Sequence, residues 1–510
     1  MKKLTALFVA IAVMASLFLA VVPATAQDGG EGQVMPISMD HPAAPFIESY
    51  LYAINAGATA EFRKMEGVVP SVDGQYLYLA MSEINKGMSD EEGDVQATNN
   101  DCGIVYRAEL GEDYNISNLH PYIVGGPYDE EADPDNACNV DAIANPDGLT
   151  VDTMGRVWVA EDTGDHLNNV LWAYDPADGS LKRFATVPVG AEVTGARIAP
   201  DGSLFFNVQH PSPYALYPYN RGIIGVVKGF NANEDSFEAI DVPQGDDQLT
   251  VVVPEGMEYQ VLGRAGDPIP SAPDGAVFGE LIRVDGTTQG ICNQPDGNMY
   301  LPLNEAGTEG YLMSNFECRP GTVSKMYIVK DDMGTWNVLE GERVNFDDVM
   351  GTWNNCNASV SPWNTGLTSE EYPSEDMDDW MSGSSSGAMN DYLGATANPY
   401  DYGYIVELIP TSPDRGFTQV YKHYAMGRFS MEQTAIMADG KTAYYGDDGS
   451  DRILFKFVAE EAGDLGYGTL YAAKVTQLED ESFDIEWIEL GTGDDVEIYE
   501  HIRALDVYFE

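Results

Sequence analysis

Basic residues are scarce in this chain. It carries 26 lysines and arginines against 83 aspartates and glutamates, a formal net charge of −57 with a pI near 4.1. A field of that sign repels phosphate backbones and anionic bilayers, which excludes nucleic acid and membrane surfaces as direct partners. It also sets a condition on small anions: one binds only where a bound cation or a local basic group reverses the potential. Most of the carboxylates read as a solvated surface suited to a salty medium, where the Debye length shrinks to about 3 to 8 Å, so only a few are candidate ligands.

Histidine and cysteine are equally sparse, at six and five residues. There is no His-Glu-x-x-His motif, no Gly-x-Ser-x-Gly elbow, and the run Ala438-Asp439-Gly440-Lys441-Thr442 lacks the first glycine of a phosphate loop. These absences exclude the common zinc-protease, serine-hydrolase and P-loop classes. His210, in Gln-His-Pro, reads as a structural loop residue. Long apolar runs are missing after residue 22, so no later segment has the roughly 18 apolar residues of a membrane span.

The early run has the form of an export signal. Lys2 and Lys3 precede Leu4–Val22, Pro23 breaks the run, and Ala24-Thr25-Ala26 offers a cleavage site before Gln27. The expected organisation is a signal peptide over 1–26, a flexible mature N-terminus over 27–36 and one domain over 37–510. The mature protein is expected to be a monomer, periplasmic or extracellular, without stable membrane insertion. In an oxidising compartment five cysteines leave at least one unpaired. Cys102 and Cys138 flank an acidic loop region, and Cys292 and Cys318 flank a possible hairpin. Pairing them leaves Cys356.

Cys356 opens the stretch CNASVSPWNTGLTSEEYP, residues 356 to 373, in which a short extended run ends in Glu370 and Glu371. A thiolate and a carboxylate from the two ends of such a turn can reach one ion, and sulfur with oxygen donors suits a transition metal. Five other stretches share the phrase of a turn followed by an apolar strand: 65–83, 145–162, 194–211, 291–306 and 430–458. Six strand-turn-strand units at uneven spacing predict an all-β fold, a six-bladed β-propeller with long insertions. Helical patterns over 44–56 and 494–506 are expected as short peripheral helices packed near each other, since the two ends of the chain close the ring. An acid precedes or follows a strand in most units: Glu66, Asp147, Glu371, Glu432, Asp447 and Asp448. Equivalent blade positions converge on one face, so these acids call for cations, with a transition metal on Cys356 and calcium on the remaining carboxylates.

Several of these segments resemble one family. CNASVSPWNTGLTSEE at 356–371 resembles the NCAGG-TPWGTW-TCEE segment of the PhoX-type alkaline phosphatases, a family of secreted propellers. GRFSMEQTAIMADGKTAYYGDDGSDRILFKFV, GTLYAAKV, TGARIAPDGSLFFNVQHP, NPDGLTVD and GATAEFRKMEG are similar to further segments of that family. The order differs: the GAT-to-Glu segment opens this chain and the Cys-to-Glu-Glu segment comes late, as in a circular permutation, which a closed ring of blades tolerates. The resemblance implies a secreted, metal-dependent phosphoesterase acting on a small phosphoester. It implies Cys356, Glu371, Glu432 and Asp147 as ligands of Fe³⁺. It also implies Glu66 and Asp448, with shared Asp147 and Glu432, as ligands of Ca²⁺.

The chain departs from the family where phosphate is held. Lys64, with Arg63 beside it, stands where the family has arginine, and Gly148 stands where the phosphatases have asparagine after the aspartate. Met431 replaces the histidine before Glu432. Lysine offers a point charge rather than a bidentate fork, so that exchange is not neutral. Lys64 and Arg63 are the two candidate catalytic clamps. These departures leave open a non-catalytic, calcium-stabilised extracellular binding propeller, and a propeller hydrolase of another ester or lactone.

Overall fold

The computed structural model describes residues 37–505 apart from 132, 273, 375–376 and 411–417. The expected signal peptide, the expected flexible segment and the end of the 494–506 pattern lie outside the described residues.

Five of the six turn phrases are each the inner hairpin of one blade, and the other, 291–306, holds only the first strand of its blade, Pro295–Pro302, with its Pro-Asp-Gly in the bulge at the start of that strand. Blade 1 runs Met65–Pro70, Tyr76–Met81, Ile104–Glu109 and Asn118–Val124. Blade 2 runs Pro146–Val151, Val157–Glu161, Val170–Asp175 and Ser180–Thr186. Blade 3 runs Glu192–Ile198, Leu204–Gln209, Ile223–Lys228 and Glu258–Arg264. Blade 4 runs Pro295–Pro302, Glu309–Phe316, Thr322–Lys330 and Trp336–Arg343. Blade 5 runs Asn355–Val360, Gly366–Glu370, Ile405–Pro410 and Thr418–His423. Blade 6 runs Met431–Ile436, Thr442–Asp447, Phe455–Ala459 and Tyr467–Gln477. Within every blade the four strands are consecutive and antiparallel, and each inner strand packs against the inner strands of both neighbours, blade 6 against blade 1 included. The fold is a six-bladed propeller.

Strands in such a ring are covered on both faces, which explains a pattern that sequence alternation only half reveals. In Tyr76–Met81, Tyr78 and Ala80 pack toward blade 2 beside Leu149 and Trp172, while Leu77, Leu79 and Met81 pack on the opposite side beside Tyr444 of blade 6. The ring is closed at its rim by a fifth strand of blade 6, Phe483–Asp494, which pairs Phe483 with Leu119 and Asp484 with Asn118 of blade 1.

The terminal helices Ala44–Ile47, Ser49–Ala56 and Asp495–Ala504 pack on blade 6, where Phe46, Ile47, Ile498 and Ile502 share a core with Phe455 and Leu470. The rings of His41 and His501 meet at 4.8 Å, so the two ends do lie together. Insertions include a hairpin, Glu280–Ile282 with Thr288–Ile291, before blade 4, and two helices within blade 5, Met377–Ser382 and Ser384–Leu393. Disulfides join Cys102 to Cys138 and Cys292 to Cys318, and Cys356 is free and buried.

Candidate metal centre

The register of the inner hairpins delivers the donors. In blades 1, 2, 4, 5 and 6 the pairing slips just after the first inner-strand residue, between Met65 and Val68, Pro146 and Leu149, Pro295 and Asn298, Asn355 and Ala358, and Met431 and Thr434. A bulge re-aims the side chain it contains. The second residue at these five places is Glu66, Asp147, Asp296, Cys356 and Glu432. In blade 3 the extra residue also lies on the inner strand, between Thr194 and Arg197 opposite Asn207 and Phe205, and the acid, Glu192, stands before the bulge as the first residue of the strand.

The second strand of each hairpin supplies a second tier. Alternation along a strand sends successive side chains to opposite faces. Of each acid pair, the first therefore turns into the protein. Glu370 accepts from Lys422 Nζ at 2.9 Å, Trp353 N at 3.0 Å and Gly403 N at 2.8 Å, and Glu161 accepts from Trp172 Nε1 at 2.6 Å and Val170 N at 2.9 Å. Asp447 accepts from Ser430 N at 3.1 Å. The following residues, Asp162, Glu317, Glu371 and Asp448, belong to the central set or act on it electrostatically.

Ligand atoms of Cys356, Glu371 and Glu432 lie within 4.8 Å of one another, as do those of Glu66, Asp147 and Glu432. Glu432 thus joins the two groups. Cys356 also stands in a group with Asp296 and Glu317, and Asp147 in one with Asp162 and Glu192. Cys356 Sγ is 3.0 Å from Glu432 Oε1 and 3.3 Å from Asp296 Oδ2. Asp448 lies outside these groups. Its carboxylate accepts from the Tyr372 hydroxyl and acts electrostatically on Glu66, Glu371 and Glu432.

Of the two clamp candidates, only Lys64 is brought to the acids, with Nζ 3.8 Å from Glu66 Oε1. Burial opposes its charge, but Glu66, Asp448, Asp162 and Glu83 together hold the ammonium well above its usual range. The Arg63 guanidinium is instead engaged by Glu83, at 2.9 Å and 3.0 Å, and by Asn85 at 3.3 Å. Lys64 has φ of 46°, in the turn that also places Asn145 at 40° and Asn354 at 46° just before their inner strands. Asparagine adopts this left-handed region readily, whereas lysine there costs roughly 1–2 kcal/mol. Strain of this kind gathers at functional positions.

Electrostatics show what the site wants. Burial, reinforced by Asp162, raises the Asp147 carboxyl to about 8. Burial likewise pushes Glu66, Asp296, Glu371 and Glu432 well above the carboxylate range, with neighbouring carboxylates adding to it, and drives the Cys356 thiol up. Two carboxylates 4 Å apart repel by roughly 4 kcal/mol at an effective dielectric near 20. Glu432 Oε2 and Asp448 Oδ1 are buried with no hydrogen-bond partner. A buried carboxylate oxygen without a donor calls for a cation. Oxygen donors in this number fit a hard divalent ion, and the one thiolate fits a transition metal. The residues present fit both.

Sequence reasoning missed Asp296, Glu317, Asp162 and Glu192. One signal was available: Pro295-Asp296-Gly297 repeats Pro146-Asp147-Gly148 at the same place in its hairpin. Tyr372, whose hydroxyl donates to Asp448, also lines a cleft of about 730 Å³ walled by Tyr50, Ser384, Arg428 and Ser430 among others.

Residues 24–212 and 322–507 match the family model of alkaline phosphatase PhoX. Asp296 and Glu317 lie in the interval between the two matched segments. No curated protein matches the chain. Among solved structures, Pseudomonas fluorescens PhoX in complex with vanadate, a transition state analogue, is similar at 19% identity and a TM-score of 0.32. The likeness covers 45% of this chain and 55% of that one, so this chain spans little more than half of that relative. The β-propeller domain of Myceliophteria thermophila Cps50 (Swd1) overlaps 84% of this chain and 98% of its own at 11% identity and a TM-score of 0.36. A gluconolactonase from Xanthomonas campestris overlaps 60% and 68% at 11% identity and a TM-score of 0.30. Likenesses this loose carry no function across. The family match, which takes in well over half of the sequence, does carry membership: this chain belongs to the alkaline phosphatase PhoX family.

Proposed function

We propose that this protein is an exported, metal-dependent phosphomonoesterase. The observation that carries the reading is the joined set of donors, Cys356–Glu371–Glu432 with Glu66–Asp147–Glu432, in which Oε2 of the shared Glu432 is buried with no hydrogen-bond partner. Cys356, Glu371 and Glu432, with Asp147, would hold iron. Glu66 and Asp448, sharing Asp147 and Glu432, would hold calcium. When bound, such ions neutralise the charge on phosphoryl oxygens and provide Lewis-acid activation.

The chain's own residues would do the rest. Lys64 presents an ammonium to the phosphoryl group within an otherwise anionic ring, kept charged by Glu66 and Asp448. Tyr372 fixes Asp448, and Asn354 Nδ2 donates to Glu317 at 2.9 Å and Glu371 at 3.2 Å, which orients two of the carboxylates. Burial and the Asp162 charge raise the Asp147 carboxyl, so protons compete with cations there, and metal loading and turnover should rise toward alkaline pH.

A second reading has one observation in its favour. Gly148 brings no side chain to the centre, where the phosphatases have an amide, and a calcium-stabilised binding propeller would not need one. Turnover of an aryl phosphate separates the two. Metal-replete protein should hydrolyse it, chelation should abolish the activity, and calcium with iron should restore it. Metal-replete protein that turns over no phosphoester would leave the binding propeller as the better account.

A further inference from the structure

Glycine recurs near the start of the inner strands, at or beside the bulges that carry the donors. The third inner-strand residue is Gly67, Gly148 and Gly297 in blades 1, 2 and 4, and in blade 3 Gly195 is the fourth. Three of these have no room for a side chain. A Cβ on Gly67 would meet Asp147 O at 2.4 Å, one on Gly195 would meet Asp296 O at 2.5 Å, and one on Gly297 would meet Ala358 N at 2.4 Å. Gly148 differs. Its Cβ would meet only Asn357 Nδ2 at 3.5 Å and Ala160 Cβ at 3.8 Å, both ordinary contacts.

Asn357 is the third inner-strand residue of blade 5, next to Cys356, and its amide reaches into the space that Gly148 leaves open. The residue is 6% exposed. Its Oδ1 accepts from Ala358 N at 2.8 Å, and its backbone carbonyl accepts from Asn315 Nδ2 and Ser369 Oγ. Nδ2 donates to nothing among the described residues. Gln433, the corresponding residue of blade 6, shows the contrast: its amide also reaches blade 2, but Nε2 donates to Leu149 O at 3.1 Å and Oε1 accepts from Leu149 N at 3.4 Å. Two N–H donors of Asn357 that no described protein group accepts are thus turned into the space left beside Gly148, where a ligand oxygen can take them in place of water.

We propose that Asn357 donates from Nδ2 to an oxygen of the phosphoryl group held at the centre, and that it fills from blade 5 the place a side chain at 148 would fill from blade 2. The inference rests on the phosphomonoesterase reading. A single amide donor to a charged oxygen contributes roughly 10- to 100-fold.

The test is a two-site swap on the metal-replete, full-length protein, read by calorimetric titration with inorganic phosphate and by kcat/KM on an aryl phosphate, with metal content measured for each variant. Asn357→Ala should weaken phosphate binding and lower kcat/KM by about 10- to 100-fold while metal content stays at the wild-type value. Gly148→Asn alone should gain nothing, because Asn357 already fills the space. The double variant Asn357→Ala/Gly148→Asn should recover most of the loss, a result that a merely structural role for Asn357 does not give. Wild-type phosphate affinity in Asn357→Ala would overturn the inference, as would loss of metal along with activity, which would make Asn357 a support of Cys356. If the wild type turns over no ester yet binds phosphate, the enzymatic reading fails, and the titrations still decide the role of Asn357. If it binds no phosphate, both fall.

Discussion

Lys64 and Arg63 are neighbours in sequence and opposites in placement. The bulged start of blade 1 and the left-handed turn before it direct Lys64 to Glu66, while Arg63 is engaged by Glu83 and Asn85. Under the proposed mechanism Lys64→Ala should lower kcat by roughly 10² or more, the usual cost of a charge-stabilising donor, and Arg63→Ala should change it by less than about threefold. Steady-state kinetics on metal-replete variants check this, and the reverse ranking would move the clamp to Arg63. Sequence alone named both residues without ranking them, because adjacent positions differ in direction only once the turn is known. The same limit hid Asp296: its Pro-Asp-Gly phrase was legible, but that it sits in the same bulge as Asp147 is a matter of register. Cys356 was legible for a simpler reason. Four cysteines could be paired by their flanking loops, and the fifth stood beside an acid pair.

At the scale of elements, the inner hairpins were readable and the outer ones were not. Turn residues between apolar runs mark the hairpins at 65–83, 145–162, 194–211 and 430–458, each the first two strands of a blade, whereas 291–306 holds only the first strand of blade 4. Outer strands such as Trp336–Arg343, half-exposed and mixed in polarity, carry no comparable signal. Neither do the helices inserted in blade 5, whose sequence is rich in serine, glycine and acid. The closing strand was equally hidden, since its partner in blade 1 lies more than 350 residues away in sequence. That strand begins at Phe483, which is fully buried and meets Phe62 edge-on at 5.6 Å and Tyr106 at 5.9 Å. Phe483→Ala removes a large side chain from the seam between blades 6 and 1 and should cost about 3–5 kcal/mol. Denaturant unfolding of the metal-replete protein measures it; a loss under about 1 kcal/mol would mean that the edge pairing contributes little to closing the ring.

For the whole molecule, a surface field of many negative charges surrounds a centre that is itself acidic, so the ring is complete as a protein fold but not as a charge distribution. The central claim is that cations complete it, with the transition metal on the one free thiol and calcium among the oxygens. The sequence showed the need for cations through its charge balance and the convergence of acids, and the structure adds the joined donor groups and the partnerless oxygens of Glu432 and Asp448. The most direct measurement is elemental analysis of the purified wild type beside Cys356→Ser. The account predicts iron and calcium bound in the wild type, with iron lost and calcium kept in the variant. Wild-type protein free of metal, or a Cys356→Ser variant that keeps its full complement of iron, would contradict it.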